Sequence, residues 1–360
     1  MQIRRRLITG LTWRVEARAA GLSPAAGARV RDLCGRALGV VRAHDCLPAA
    51  AARAAILCFH GIGRRCDPEV EEGVLPVRGL RAILNTLRRS FRVIALAELV
   101  ACLRERRPPP PRAVVLTFDD GYANNAEIAA GELDRLRLPW SAFLPAGLVE
   151  DGRRQWVDDL RVLIHRGSRR SLRLPWEGRT LTFELDTPAR RRAALAWLIE
   201  NLRYLPEERR EVLWREIVEA YSADELAGLR ARFPGFALMS WAQARQLRQA
   251  GVDIGSHGLS HIALAPQTPR RLRHELHEAR RLLQLRLGAD GPHFSYPYGR
   301  PASISPATEA ALAEMGYACG LTLEQDTVRC DRAALPALPR LIVPARAGRI
   351  LLTLWQRFAR

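Results

Sequence analysis

From Ala54 onward, short apolar runs alternate with longer stretches of helical periodicity, a βα rhythm that few architectures accommodate. The runs AAILCF (54–59), RVIAL (92–96), AVVLTF (113–118), SAFL (141–144), VDIGS (252–256), HFSYPY (293–298), YACGLT (317–322) and PRLIV (339–343) read as strands. Between them lie helical patterns such as LRAILNTLRRS, AEIAAGELDRL and PRRLRHELHEARRLLQLRL, the last closed by a glycine where a C-cap belongs. Seven or eight buried parallel strands with intervening helices predict an α/β chain closed into a (β/α) barrel. In such barrels the chemistry gathers where strands end at their C-termini.

Two segments interrupt the rhythm. Arg104 to Arg112, RERRPPPPR, reads as a stiff connector leading into AVVLTF. Residues from about 150 to 240 exceed what a βα connection needs. Rich in helix formers and in Trp156, Trp176, Trp197 and Trp214, they predict an inserted helical cap.

The formal net charge of +18 would ordinarily point to nucleic acid, an acidic polymer or an anionic membrane. None of the 56 basic residues is a lysine, however, and Ala, Leu and Pro abound. Coding bias explains that pattern as well as a binding surface does, so nucleic acid is not expected as a partner. The seven cysteines form an odd set without a CxxC pair, which argues against a zinc knuckle or a secreted disulfide framework and fits a reducing compartment.

Residues 1–53 are expected to form a basic helical extension: Ile3, Leu7, Ile8, Leu11 and Val15 make one apolar face beside Arg4, Arg5 and Arg6. Docking onto the body of the protein is the first reading of that face, and peripheral membrane contact the second. The extension lacks the continuous apolar core and cleavage site of a signal peptide. A cytoplasmic location is therefore expected, at the inner membrane face if the helix makes that contact.

Three motifs carry chemistry. Thr117-Phe118-Asp119-Asp120-Gly121 sets adjacent carboxylates at a strand end, where one can ligate a metal while the other acts as base on a metal-bound water. Ser256-His257-Gly258-Leu259-Ser260-His261 follows another strand, and imidazoles four residues apart on one helical turn can share a cation with a carboxylate. Phe294-Ser295-Tyr296-Pro297-Tyr298-Gly299 ends a third strand, where a backbone N–H can face a developing oxyanion. Either of the first two motifs alone has an ordinary structural explanation, as turn residues or as a structural histidine pair. Their joint occurrence at strand ends of one barrel is harder to explain away.

With TFDDG, SHGxxH and the PYG of Pro297 to Gly299, the chain resembles the polysaccharide deacetylases of the NodB-homology type, a carbohydrate esterase family built on a distorted (β/α)7-type barrel. The resemblance spans residues 54–345 apart from the cap, and leaves 346–360 as a C-terminal helical tail. It implies an enzyme that removes N-acetyl groups from an amino-sugar polysaccharide, an oligosaccharide or a lipid-linked glycan precursor. It further implies that Asp120, His257 and His261 hold a divalent metal, zinc being expected, that Asp119 is the catalytic base, and that the Tyr298 amide helps form the oxyanion hole.

The chain departs from the family pattern twice. The arginine expected in the third motif is replaced by Ser295, and no histidine follows His293 to serve as the late general acid. His60, in LCFHGIG, is placed to supply the acid as in a permuted branch of the family, and Arg340, in the last strand, to pair with Asp119. Trp156, Tyr296 and Pro297 are the candidate sugar contacts, Trp156 as a stacking ring at the barrel mouth or as a core anchor of the cap. A metal hydrolase of another non-peptide C–N bond on the same scaffold, or a carbohydrate-binding homologue that has lost catalysis, remains the alternative.

Overall fold

The computed structural model describes residues 52–288, 291–343 and 347–359. The extension expected over 1–53 therefore falls almost wholly outside the described residues, and with it the question of its docking face.

Seven strands form a curled parallel sheet: β1 (Arg53–Phe59), β2 (Ala113–Phe118), β3 (Ser141–Leu144), β4 (Asp253–Ser256), β5 (His293–Ser295), β6 (Cys319–Leu321) and β7 (Leu341–Ile342). Their spatial order is β7-β1-β2-β3-β4-β5-β6, every neighbour parallel. A single parallel bridge between Leu321 and Leu338 then joins β6 to the segment entering β7, with Leu338 N–H donating to Gly320 O and Thr322 N–H to Leu338 O, both at 2.8 Å. The expected α/β barrel is thus present, with a ring closed by one bridge.

The strands are shorter than their apolar runs. RVIAL contributes only Arg92–Val93, because Leu96 opens a helix whose apolar face needs Leu96, Leu99 and Val100. PRLIV contributes only Leu341–Ile342, since Pro339 has no N–H for a ladder. HFSYPY stops at Ser295, before Pro297 and a left-handed Tyr298.

Strand alternation divides the core. Ala54, Ile56, Val115, Phe143 and Leu321 form one buried cluster within the ring. Ala55, Leu57, Phe59, Val114, Leu116 and Phe118 point the other way, into a cluster with helices such as α1 (Val77–Ser90). Burying both faces is what makes the first four positions of AVVLTF apolar without alternation.

The cap comprises α2 (Trp156–Arg166), α3 (Pro188–Leu202), α4 (Glu207–Glu219) and α5 (Ala223–Arg232). The expectation of a helical cap needs one correction, because Ser171–Trp176 and Arg179–Glu184 pair as an antiparallel hairpin. Glu177 and Gly178 turn it with φ of 49° and 77°, the left-handed pair a tight hairpin requires. The insert has a core of its own around Leu160, Leu174, Leu198 and Ile217. Its entry and exit meet: Trp241 Nε1 donates to Glu150 Oε2 at 2.7 Å. On its return the chain is stitched to the first motif, Met239 N–H donating to Gly121 O and Ala123 N–H to Ala237 O, both at 2.8 Å.

Past the cap, α6 (Pro269–Leu287) packs on the barrel wall, and the C-terminal α7 (Ala347–Ala359) lies beside α1 with Phe358 against Phe91 at 5.8 Å. Among the described residues no helix is long and apolar enough to cross a membrane. Cys58, Cys66, Cys102, Cys319 and Cys330 are free.

Gly255 in β4 has no room for a methyl group: a Cβ there would lie 2.5 Å from Phe143 Cε1 and 2.7 Å from the His293 carbonyl oxygen. Gly255→Ala is expected to destabilise the chain by about 1–3 kcal/mol through overpacking, read as a lowered urea midpoint. An unchanged midpoint would show that the strand next to His257 is less tightly packed than described.

Candidate metal and catalytic site

The three motifs converge at the C-terminal end of the barrel. Asp119, Asp120, His60, His257, His261 and Tyr298 all line one cavity of about 220 Å³. Strand alternation accounts for half of this. Val115, Thr117 and Asp119 share the inner face of β2, whereas Phe118 belongs to the outer layer, and an uninterrupted strand would send Asp120 outward too. Asp120 instead adopts φ 73°, a left-handed conformation rare for a residue with a side chain, and joins its neighbour at the cavity. His261 (φ 53°) and Tyr298 (φ 62°) share that conformation, so backbone strain gathers at this site.

The two histidines are not on a helical turn, as their spacing suggested. Gly258 (φ 77°) and His261 (φ 53°) break any helix, and a loop brings the rings together with centroids 4.8 Å apart. The loop is clamped from two sides. Ala146 N–H and Gly147 N–H donate to Gly258 O and Leu259 O at 3.0 and 2.9 Å. The fully buried Glu275 of α6 accepts from Leu259 N–H and Ser260 N–H at 2.9 and 3.0 Å, and is itself paired with Arg271 at 2.7 Å. Glu275 was not singled out in the sequence; nothing in PRRLRHELHEAR separates it from the other polar positions of an amphipathic helix.

Asp120 Oδ1 lies 3.2 Å from His261 Nε2 and 3.5 Å from His257 Nε2. Ligands held tetrahedrally at about 2.0–2.2 Å from zinc stand about 3.3 Å apart, so this spacing fits a shared cation. His257 Nδ1–H donates to the Ser295 carbonyl at 2.7 Å, which fixes the tautomer with Nε2 free to ligate. The donor set of one carboxylate and two imidazoles suits zinc or a similar divalent ion. The imidazoles hold Asp120 well below the ordinary carboxylate range although burial opposes them, while burial lowers His261.

Asp119 is held differently. Arg340, fully buried, donates from Nη1 to Oδ1 at 2.9 Å and from Nη2 to Oδ2 at 2.7 Å. Nη2 also reaches Ser295 Oγ at 2.8 Å, and that hydroxyl donates to Asp119 Oδ2 at 2.9 Å. Nη1 reaches Thr117 Oγ1 at 3.1 Å, Nε reaches Thr322 O at 3.1 Å, and the Cys58 thiol adds a 3.4 Å bond to Asp119 Oδ2. Burial alone would raise the Asp119 carboxyl, but the guanidinium outweighs it and holds the acid below the usual range. Ser295, standing where an arginine was expected, is small enough to bridge this pair.

His60 is half-buried on the cavity wall, its Nε2 4.0 Å from Cys58 Sγ. Asp158 shares the cavity. It accepts from the Tyr122 hydroxyl at 2.9 Å, and its carboxyl is pushed up to about 8 by burial and by the charge of Asp120.

None of the three expected sugar contacts lines the metal-ligand cavity. Tyr296 is 1% exposed, packs on Phe294, and donates its hydroxyl to Pro336 O at 2.9 Å, so it is a core residue. Pro297 is buried beside Gly258. Trp156, 7% exposed, is an anchor of the cap core against Trp214, and its indole N–H donates to the Tyr298 hydroxyl at 3.1 Å. It holds the third motif to the cap from outside the metal-ligand cavity.

Residues 212–320 match the family model for polysaccharide deacetylase, a segment that includes the second and third motifs and begins inside the cap. No curated protein sequence matches the chain. Among solved structures it is similar to the Streptococcus pyogenes deacetylase PplD in complex with acetate, at 16% identity and a TM-score of 0.56 over 85% of this chain and 99% of that one. It is similar to IcaB from Ammonifex degensii at 18% identity and a TM-score of 0.55, over 84% and 97%. A polysaccharide deacetylase from Bacillus cereus aligns at 12% identity and a TM-score of 0.50, over 83% and 69%. The resemblance read from the three motifs is thus borne out, over 212–320 by a family of enzymes and across the barrel by the fold.

Arg340→Gln is expected to destabilise the metal-free chain by about 3–5 kcal/mol at neutral pH, because it strands a buried carboxylate. The depressed pKa of Asp119 contributes stability above its unfolded pKa of about 3.9, and that stability is lost as pH falls below that value. The gap between wild type and Arg340→Gln should therefore narrow below about pH 4 in denaturant titrations. A gap independent of pH would remove the charge pair as its cause.

Proposed function

We propose that the chain is a metal-dependent hydrolase that removes N-acetyl groups from an amino-sugar glycan. The observation that carries this reading is the cluster of Asp120, His257 and His261 beside an ionised Asp119 in one cavity. The acetate in the PplD complex is the product such a reaction releases.

Asp120, His257 and His261 would hold a divalent ion, which when bound would supply Lewis-acid activation of the attacking water. The chain's own groups do the rest. Asp119 accepts the proton of the attacking water through Oδ1, which takes one bond from Arg340, whereas Oδ2 is occupied by Arg340, Ser295 and Cys58. Arg340 fixes the plane of that carboxylate and keeps it ionised. The backbone N–H of Tyr298 faces the developing oxyanion, its position set by the left-handed turn and by the tether from Trp156. The amine leaves only with a proton, and His60 on the cavity wall donates it.

Asp119→Asn is expected to abolish acetate release while retaining metal by atomic absorption, whereas His257→Ala loses both. Full activity in Asp119→Asn would sink the role given to that carboxylate. His60→Ala should lower kcat about 10²–10⁴-fold with metal content unchanged, the range for loss of a general acid. An unaltered kcat would assign the proton to another group.

A further inference from the structure

A second cavity, of about 480 Å³, adjoins the first, and Gln155 and His261 line both. Its wall also carries Trp156, Trp214, Arg154 and Arg210. We propose that it binds an oxyanion borne by the substrate, a phosphate or carboxylate attached near the N-acetylated sugar. This rests on the de-N-acetylation reading only in making the anion part of the same substrate.

The argument is one of unmatched hydrogen-bond donors. Arg210 is 2% exposed, yet neither its Nε nor its Nη1 has a partner; Nη2 alone is engaged, at 2.8 Å from Glu211 and 3.8 Å from Glu207. Arg154 Nη1 and Gln155 Nε2 are likewise buried without partners, although Arg154 Nη2 donates to Arg230 O at 2.7 Å. Every one of these unpaired atoms is a nitrogen that only donates. Leaving a buried guanidinium N–H unmet is costly, and the natural complement of several such donors lining one cavity is a group that only accepts. Asp159 does not fill that role, because Arg230 already pairs with it. Glu207 is likewise taken up by Arg271.

The aromatic wall fits the same ligand. Arg210 lies over the Trp156 ring at 5.7 Å, which orients the guanidinium, and Trp214 stands edge-on to Trp156 at 6.3 Å. An acetamide placed at Asp120 and His261 would therefore have beside it a compartment walled by Trp156, Trp214 and arginines whose neighbouring carboxylates are already paired, large enough for a further group.

The test is calorimetric binding to the full metal-loaded chain of N-acetylglucosamine, its 1-phosphate, and a disaccharide joining it to glucuronic acid. At least one anionic sugar should bind tenfold or more tightly than the neutral one, and which of the two does so assigns phosphate or carboxylate. In Arg210→Gln that ratio should collapse toward one, and Arg210→Lys should keep part of it. If Arg210→Gln does not fold, Arg154→Gln, at a partly exposed residue, should lower the ratio several-fold. A wild-type ratio near one overturns the proposal, as does a ratio unchanged in folded Arg210→Gln, which would place the anion on the metal instead. Acetate release is measured separately: selective anion binding without release from any sugar sinks the deacetylase reading and leaves this site standing, and release without anion preference does the reverse.

Discussion

The ion pair between Arg340 and Asp119 joins four strands of this barrel at one point. Arg340 immediately precedes β7, Asp119 immediately follows β2, Ser295 ends β5, and Thr322 follows β6. One guanidinium thus ties four strand ends at the place where the ring has only a single backbone bridge between Leu321 and Leu338. Two charges taken from water are retained only when their geometry and remaining hydrogen bonds are satisfied, and here all three guanidinium nitrogens and both carboxylate oxygens are engaged. The same network that closes the ring keeps the carboxylate ionised, so stability and reactivity draw on one set of bonds.

The metal-ligand cluster depends on a second constraint, the left-handed backbone at Asp120, His261 and Tyr298. Each such residue costs on the order of 1–3 kcal/mol unless its surroundings enforce it. Here the surroundings do: Met239 N–H grips Gly121, Glu275 grips the loop before His261, and the Trp156 indole grips the Tyr298 hydroxyl. Two of those three grips come from the cap or its return strand, which makes the insert part of the site's frame.

Much of this was legible in the sequence, for identifiable reasons. The strand AVVLTF and the carboxylates behind it follow from apolarity on both faces and a polar end. The convergence of Asp120, His257 and His261 followed from two motifs placed at strand ends. The partnership of Arg340 with Asp119 followed from a missing charge in the third motif, with Ser295 in its place. What was not legible depends on tertiary contact. HxxxH spacing suggested a helix because nothing local reveals that His261 itself turns left-handed. Tyr296 and Pro297 were taken for sugar contacts because their place at a strand end does not say which way the side chains face, and Trp156 stayed open between a stacking ring and a core anchor because only packing of the cap decides it. The cap hairpin was missed although SLRLPW and RTLTFE alternate around Glu177-Gly178, since the surrounding helix formers dominated the reading of that region.

The cap's two ends are fastened at the same rim, Glu150 to Trp241 on one side and Gly121 to Met239 on the other. To the barrel, the whole insert is one closed loop, whatever its length, and loop closure grows costly only slowly with length. Apart from Trp156, which grips Tyr298, its interior with a separate apolar core is free to diverge without disturbing the strand spacing that sets the ligand geometry beneath. Such an arrangement lets natural variation rewrite what is recognised while the bond-breaking apparatus stays as it is.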